Sequence, residues 1–189
     1  LDMDTEEAYR NIQKRFELSQ VPTIEEYLSI LCHEKTHEKV IMHSRRTAEI
    51  MEILGRELVE SGVELSLPLL RAAGLLHDIS KGVANHAAEG AELLRLYGFD
   101  YLADITASHM EHIPDSSGLL TEKDLLYVSD KMLEGTELMS LPERRKLSIQ
   151  IKGSDAEIIK RINSRFDAAE QIASRIIEQT GRSIYTIIG

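Results

Sequence analysis

The sequence predicts an all-α protein. Helix start and stop signals recur along its whole length, apolar residues return at intervals of three and four, and alternating runs rich in β-branched residues are nearly absent. "PTIEE" (22–26) places Thr23 as an N-cap with Glu26 closing a capping box, and opens a helix to about residue 32. A long helix follows from about His37 to Ser61 and stops at Gly62. "SLPLLRAAGLLHDI" (66–79) begins on Ser66 with Pro68 in its first turn, where a missing N–H costs nothing, and is stopped near Gly82. The next helix, about 85–97, opens on Asn85 and closes at Gly98. Another covers about 100–112. "IPDSSGLL" (113–120) reads as a loop by its Pro, Asp, Ser and Gly content, and "TEKD" (121–124) caps a helix reaching about Leu133. Pro142 begins a short helix. Ser154 begins a long one to Gln179, with Ile158, Ile162, Phe166, Ala169, Ile172 and Ile176 on one stripe. Only the tail "SIYTIIG" (183–189) looks strand-like, and it is too short to make a sheet alone.

At 189 residues, with 42% hydrophobic and 29% charged, the chain has the size of one domain with a real core. Its longest apolar runs fall far short of a membrane span. A formal charge of -10 argues against a nucleic-acid duplex or an anionic membrane as the main partner, since either needs a basic face, and suits a multivalent cation better. Cys32 is the single cysteine, so no intramolecular disulfide forms. With no signal peptide in view, that usage predicts a reducing, cytoplasmic setting.

Several polar residues interrupt the apolar stripes at helical spacing. In the long second helix the inward positions run Val40, His43, Thr47, Ile50 or Met51, Leu54 and Leu58, so His43 points into the core. "LLHDISKG" (75–82) drives His77 and Asp78 into the end of an apolar segment. Leu126, Asp130 and Leu133 put a second carboxylate between leucines. An inward carboxylate is costly unless a cation, donors or a metal ion compensate it. Leu102, Ile105, His109 and His112 space two imidazoles by three on one stripe, and His86 sits just inside its own helix. Taken singly, each is an ordinary hydrogen-bonded core residue. Taken together, His43, His77, Asp78, His86, His109 and Asp130 come from five helical segments, and one shared metal site satisfies them all. His33 and His37 lie among charges and are expected in solvent.

This order of residues, a lone His, an adjacent His-Asp pair and a distant Asp, resembles the HD-domain superfamily of metal-dependent phosphohydrolases. The resemblance covers about residues 36–135 and rests on "HSRRTAEIM" from His43, "AGLLHDISKG" and "LYVSDKM". It implies a helical bundle around a metal site, here over residues 21–180, with 181–189 as a C-terminal tail. "NHAAEGAELL" and "ASHMEH" supply His86 and His109 where the two-metal subset has extra histidines, and the pattern looks like the bacterial diadenosine-polyphosphate hydrolase branch. By the family pattern His43, His77, Asp78 and Asp130 hold one ion, Asp78 bridges, and His86 with His109 hold the second. His112 is a further ligand or outer partner at lower weight. A donor set of imidazole and carboxylate suits Fe, Mn, Co, Ni or Zn. Separately, "LDMDTEEAY" resembles the closing "D-x-D-T-x-x-D-Y" string of nucleotidyltransferase domains of the molybdenum-cofactor type, with Ala8 at one acidic position. That implies that residues 1–20 are the linker or tail of a fused N-terminal transferase domain.

Two such ions make a hydrolase's equipment, with a nucleotide or other small phosphoester as substrate. Asp78 and Lys81 are the expected catalytic residues. Lys81, one turn beyond Asp78, is the expected phosphate-binding cation, and Arg46, one turn from His43, a second candidate for substrate. The same ligand pattern also occurs in di-iron oxygenases of this fold, and a non-catalytic regulatory module is the remaining alternative.

Overall fold

The computed structural model describes residues 19–189. The elements are α1 (Ile24–His33), α2 (Glu38–Glu60), α3 (Leu67–Leu76), α4 (His86–Leu96), α5 (Asp100–Ala107), α6 (Glu122–Lys131), a hairpin of β1 (Leu133–Glu134) and β2 (Glu137–Leu138), α7 (Leu141–Lys152), α8 (Ala156–Thr180) and α9 (Ile184–Ile188). The fold is all-α, with one two-stranded ribbon among the described residues. The predicted transferase tail lies, but for its last two residues, outside the described residues.

Local chemistry accounts for most helix starts. Thr23 and Glu26, Thr121 and Asp124, and Ser140 and Glu143 each form a reciprocal capping box, which satisfies two backbone donors that a helix start leaves orphaned. The long α8 begins one residue later than predicted, because Asp155 rather than Ser154 accepts from the Ile158 N–H. Asn85 does start α4, but from a left-handed conformation with φ 54° and without a side-chain cap.

The core is built where α2, α3 and α6 meet, with α8 laid across α6, α7 and α2. Leu54, Leu58, Leu69, Leu70, Leu76, Leu125 and Leu126 are fully buried there, each contributing about 1.5–3 kcal/mol by leaving water. The α8 stripe read from the sequence faces this core through Ile162, Phe166, Ala169, Ile172 and Ile176. Gly74 sets the closeness of α2 and α3: a Cβ there would stand 2.5 Å from the Ala48 Cα and 2.7 Å from its N. Backbone atoms cannot yield as a side-chain tip can. Gly74→Ala is therefore expected to lower stability by about 1–3 kcal/mol despite alanine's better helix propensity. A denaturation midpoint at or above wild type would show that the two helices part freely.

Three predicted elements end differently. The third helix stops at Leu76 rather than about 79, and His77 to Gly82 form successive tight turns, with Ile79 N–H on Leu76 O and Lys81 N–H on Asp78 O. The helix predicted over 100–112 stops at Ala107: the Ser108 hydroxyl donates to Ile105 O and the His109 ring to Thr106 O, so side chains take carbonyls that a continuing helix would use. The strand-like tail is a helical turn, α9. Ser183 caps it by accepting from Thr186 N–H, Ile184 is buried, and the Tyr185 hydroxyl accepts from Leu141 N–H. The β-branched run packs against α2 instead of pairing as a strand. The hairpin at 133–138 is not among the elements that the sequence predicts. Its two-residue loop opens on Gly135 at φ 61°, a conformation that glycine takes without steric cost.

Candidate metal centre

The six residues picked out by pattern converge at one end of the α2–α3–α6 core. His43 comes from α2, His77 from the C-cap of α3, Asp78 from the turn after it, and His86 from the first position of α4. His109 follows α5, and Asp130 lies in the last turn of α6. They form two groups, His43 with His77 and Asp130, and Asp78 with His86 and His109.

Asp78 joins the groups by dividing its two oxygens. Oδ2 lies 3.8 Å from His43 Nε2 and 3.6 Å from His77 Nε2, while Oδ1 lies 3.3 Å from His86 Nε2 and 3.4 Å from His109 Nε2. Asp130 Oδ1 is 3.1 Å from His43 Nε2 and 3.7 Å from His77 Nε2, and the Nε2 atoms of His86 and His109 are 3.2 Å apart.

The histidines are oriented by their other ring nitrogens. Nδ1 of His43 donates to Gly135 O at 2.7 Å, that of His77 to Gly74 O at 2.9 Å, and that of His109 to Thr106 O at 2.7 Å. In its neutral form, an imidazole that donates from Nδ1 presents a lone pair at Nε2, so each of the three can turn an acceptor toward a cation in the cluster. The hairpin thus has a purpose at the site, since the Gly135 carbonyl in its turn aligns His43. Gly74 likewise serves twice, through its close approach to α2 and through its carbonyl.

The donor set fits a metal ion. His77 Nε2 and Asp78 Oδ1 are buried without a hydrogen-bond partner, although the imidazoles around Asp78 Oδ1 stand at contact distance. Lone pairs crowded on carboxylate oxygens are unfavourable until a proton or cation sits between them. With bonds near 2.1 Å, donors around one ion stand roughly 3.0–3.4 Å apart, close to the separations here. Burial disfavours the Asp78 carboxylate, but contacts from His109 and His86 and the charge of His77 outweigh it and hold the group far below the ordinary carboxylate range. For Asp130 the opposing pull of Lys131 and His43 likewise outweighs burial. Burial pushes His109 below the usual imidazole value, which favours the neutral ligand form.

A cleft of about 480 Å³ opens over the two groups. Lys81 lines it, with Nζ 2.7 Å from Asp78 Oδ2 and its side chain half exposed. Lys39, Lys131, Arg144, Lys152 and Arg165 line it as well, which the sequence reading missed. For Lys131 the signal was its place beside Asp130; the others come from three helices, α2, α7 and α8, and share no motif. Arg46 is placed elsewhere: it pairs with Glu49 at 2.9 Å on the outer surface of α2 and does not line the cleft. His112 also departs from the expectation. Once α5 has ended, it no longer shares a stripe with His109; its Nε2 lies 2.8 Å from Asp124 Oδ1, and its ring packs 5.5 Å from Tyr127. His33 is exposed beside Glu34 and the Tyr97 hydroxyl, and His37 caps α2 by accepting from Lys39 N–H.

Asp124 is a structural carboxylate. Burial raises it, but His112 and Thr121 outweigh that and lower it below the ordinary value. A depressed carboxyl contributes stability that is present above its unfolded pKa and lost as pH falls through the folded value. Asp124→Asn should therefore cost about 1–3 kcal/mol at neutral pH, with the difference from wild type shrinking below about pH 4. Urea unfolding at the two pH values measures this; an undiminished difference in acid would leave the charge with no part in it.

A family model described as HD domain matches residues 40–147. An uncharacterised protein of Methanocaldococcus jannaschii, MJ0778, is 30% identical over 155 residues, covering 73% of this chain and 91% of that protein. No solved structure matches the chain.

Proposed function

The chain belongs to the HD-domain family, and on that footing we propose that it is a metal-dependent phosphohydrolase acting with water on a nucleotide or other small phosphoester. The observation that carries this reading is the division of Asp78, one oxygen toward each group of ligands. His43, His77 and Asp130 with Asp78 Oδ2 would hold one ion, and His86 and His109 with Asp78 Oδ1 the other. Two divalent transition ions there would supply a water of lowered pKa and polarise a phosphoryl oxygen. The rest falls to the chain. Lys81 neutralises charge that builds on the phosphoryl group, at a position from which its flexible stem reaches both Asp78 and the cleft. The basic lining supports an anionic substrate, because it gathers in a protein whose net charge is -10. Val40, Leu133, Ile162 and Phe166 give the same cleft an apolar side on which an uncharged moiety can rest.

The test pairs metal analysis with two activity assays. Protein loaded with manganese or iron is expected to release phosphate or a shortened nucleotide from a phosphoester panel, without substrate-linked O₂ uptake. O₂ consumption with iron and no hydrolysis would instead indicate the oxygenase chemistry that shares this ligand pattern. His86→Ala or His109→Ala should leave about one ion and a folded protein, since the first group keeps its four ligands. Equal loss of all metal would indicate a single mononuclear centre.

A further inference from the structure

Beside the ligands stands a buried cation that they do not require. Lys131 follows Asp130 at the end of α6, and its side chain is only 11% exposed. Its ammonium lies 2.8 Å from Asp130 Oδ2, donates to the His109 carbonyl at 3.0 Å, and stands 4.5 Å from the centre of the Tyr127 ring. By charge alone this group is out of place, because an ammonium next to two cation sites repels both ions. Its contacts show what could offset that cost. Asp130 and His109 fall in different ligand groups, and Lys131 is bonded to both residues. It takes the Asp130 oxygen opposite to the one that faces His43, leaving Oδ1 for the cluster. It also fixes the backbone of the turn that carries the His109 ring.

Resting on the two-ion reading above, we propose that Lys131 is a positioning residue that couples the two ion sites, holding Asp130 by one oxygen and the His109 turn by its carbonyl. The rest of α6 is consistent with this role. Asp124, Tyr127 and Lys131 lie at i, i+3 and i+7, one stripe of the helix, and all three grip the segment from His109 to His112. Because Asp124 and Tyr127 hold the far end of that segment, removing Lys131 loosens the His109 end without freeing the whole turn.

The experiment titrates the metal-free full chain with Mn²⁺ by calorimetry and electron paramagnetic resonance, with circular dichroism as the check on folding. The ion at the His86–His109 site is identified by its absence in His86→Ala. Lys131→Met keeps an apolar stem over Tyr127 and removes the charge. It should weaken both ions, each by about 10- to 100-fold, the usual cost of losing an outer partner, and loss at one site alone would mean that the lysine does not couple them. The spin-coupled signal of a pair should then appear only at higher Mn²⁺. Lys131→Gln, which keeps a donor without the charge, should fall between Met and wild type, and offers a second variant if the first folds poorly. Tighter binding of both ions in Lys131→Met would mean that the lysine acts only by repulsion, and unchanged affinities that it does not act on the ions; either overturns the proposal. A wild type that binds a single Mn²⁺ would overturn the two-ion reading beneath it.

Discussion

Asp78→Ala is expected to lose most of both metal ions in one step. The Asp78 carboxylate reaches both ligand groups: Oδ2 lies within 3.8 Å of His43 and His77, and Oδ1 within 3.4 Å of His86 and His109. Without it one group keeps two imidazoles and a carboxylate, the other two imidazoles alone, and the anion that offsets two adjacent cations is gone. The loss should exceed that in His86→Ala or His109→Ala, which leave the first group complete. Elemental analysis after purification and after dialysis against Mn²⁺ gives the occupancy, and circular dichroism separates metal loss from unfolding. The main core, centred on Leu54, Leu70 and Leu125, does not depend on this side chain, so the variant should remain helical. Full occupancy in a folded Asp78→Ala protein would falsify the bridging role.

Lys81→Ala should leave metal content and folding intact while lowering turnover on a phosphoester by about 10²-fold, the usual loss when one electrostatic stabiliser of a transition state is removed. Lys81 pairs with Asp78 Oδ2 at 2.7 Å, but its side chain is 47% exposed and extends along the cleft, so it serves no core packing. If the ammonium acts chiefly on charge developing in the transition state, kcat and kcat/KM should fall together with KM little changed. A rise in KM alone would make Lys81 a substrate-holding cation only. Lys81→Arg should recover part of the rate, since the charge returns with a planar geometry that fits the same space imperfectly. Metal loss in Lys81→Ala would mean that the lysine serves Asp78 rather than the substrate.

The sequence by itself determined the helical class, most helix starts and which His and Asp side chains gather in one place. Each of these is a local or periodic property. Thr23, Thr121 and Ser140 cap their helices through atoms three residues away, and helical spacing alone turns His43 and Asp130 inward. A buried imidazole or carboxylate is costly enough to stand out in an apolar stripe even when its partner is unknown. Only the tertiary structure decided which groups those residues join and what surrounds them. Asp78 divides its oxygens because the turn after α3 meets α2 on one side and α4 with the end of α5 on the other, a meeting of residues far apart in the chain that no short pattern encodes. His112 left the cluster because Ser108 and His109 took the helix carbonyls, and Arg46 left the cleft because Glu49 lay one turn away. The tail became a helix packed on α2, and the Gly135 carbonyl reached His43 across 92 residues. Pairing energies of this kind depend on which surfaces the packed helices bring together, so local propensity could name the residues but not their partners.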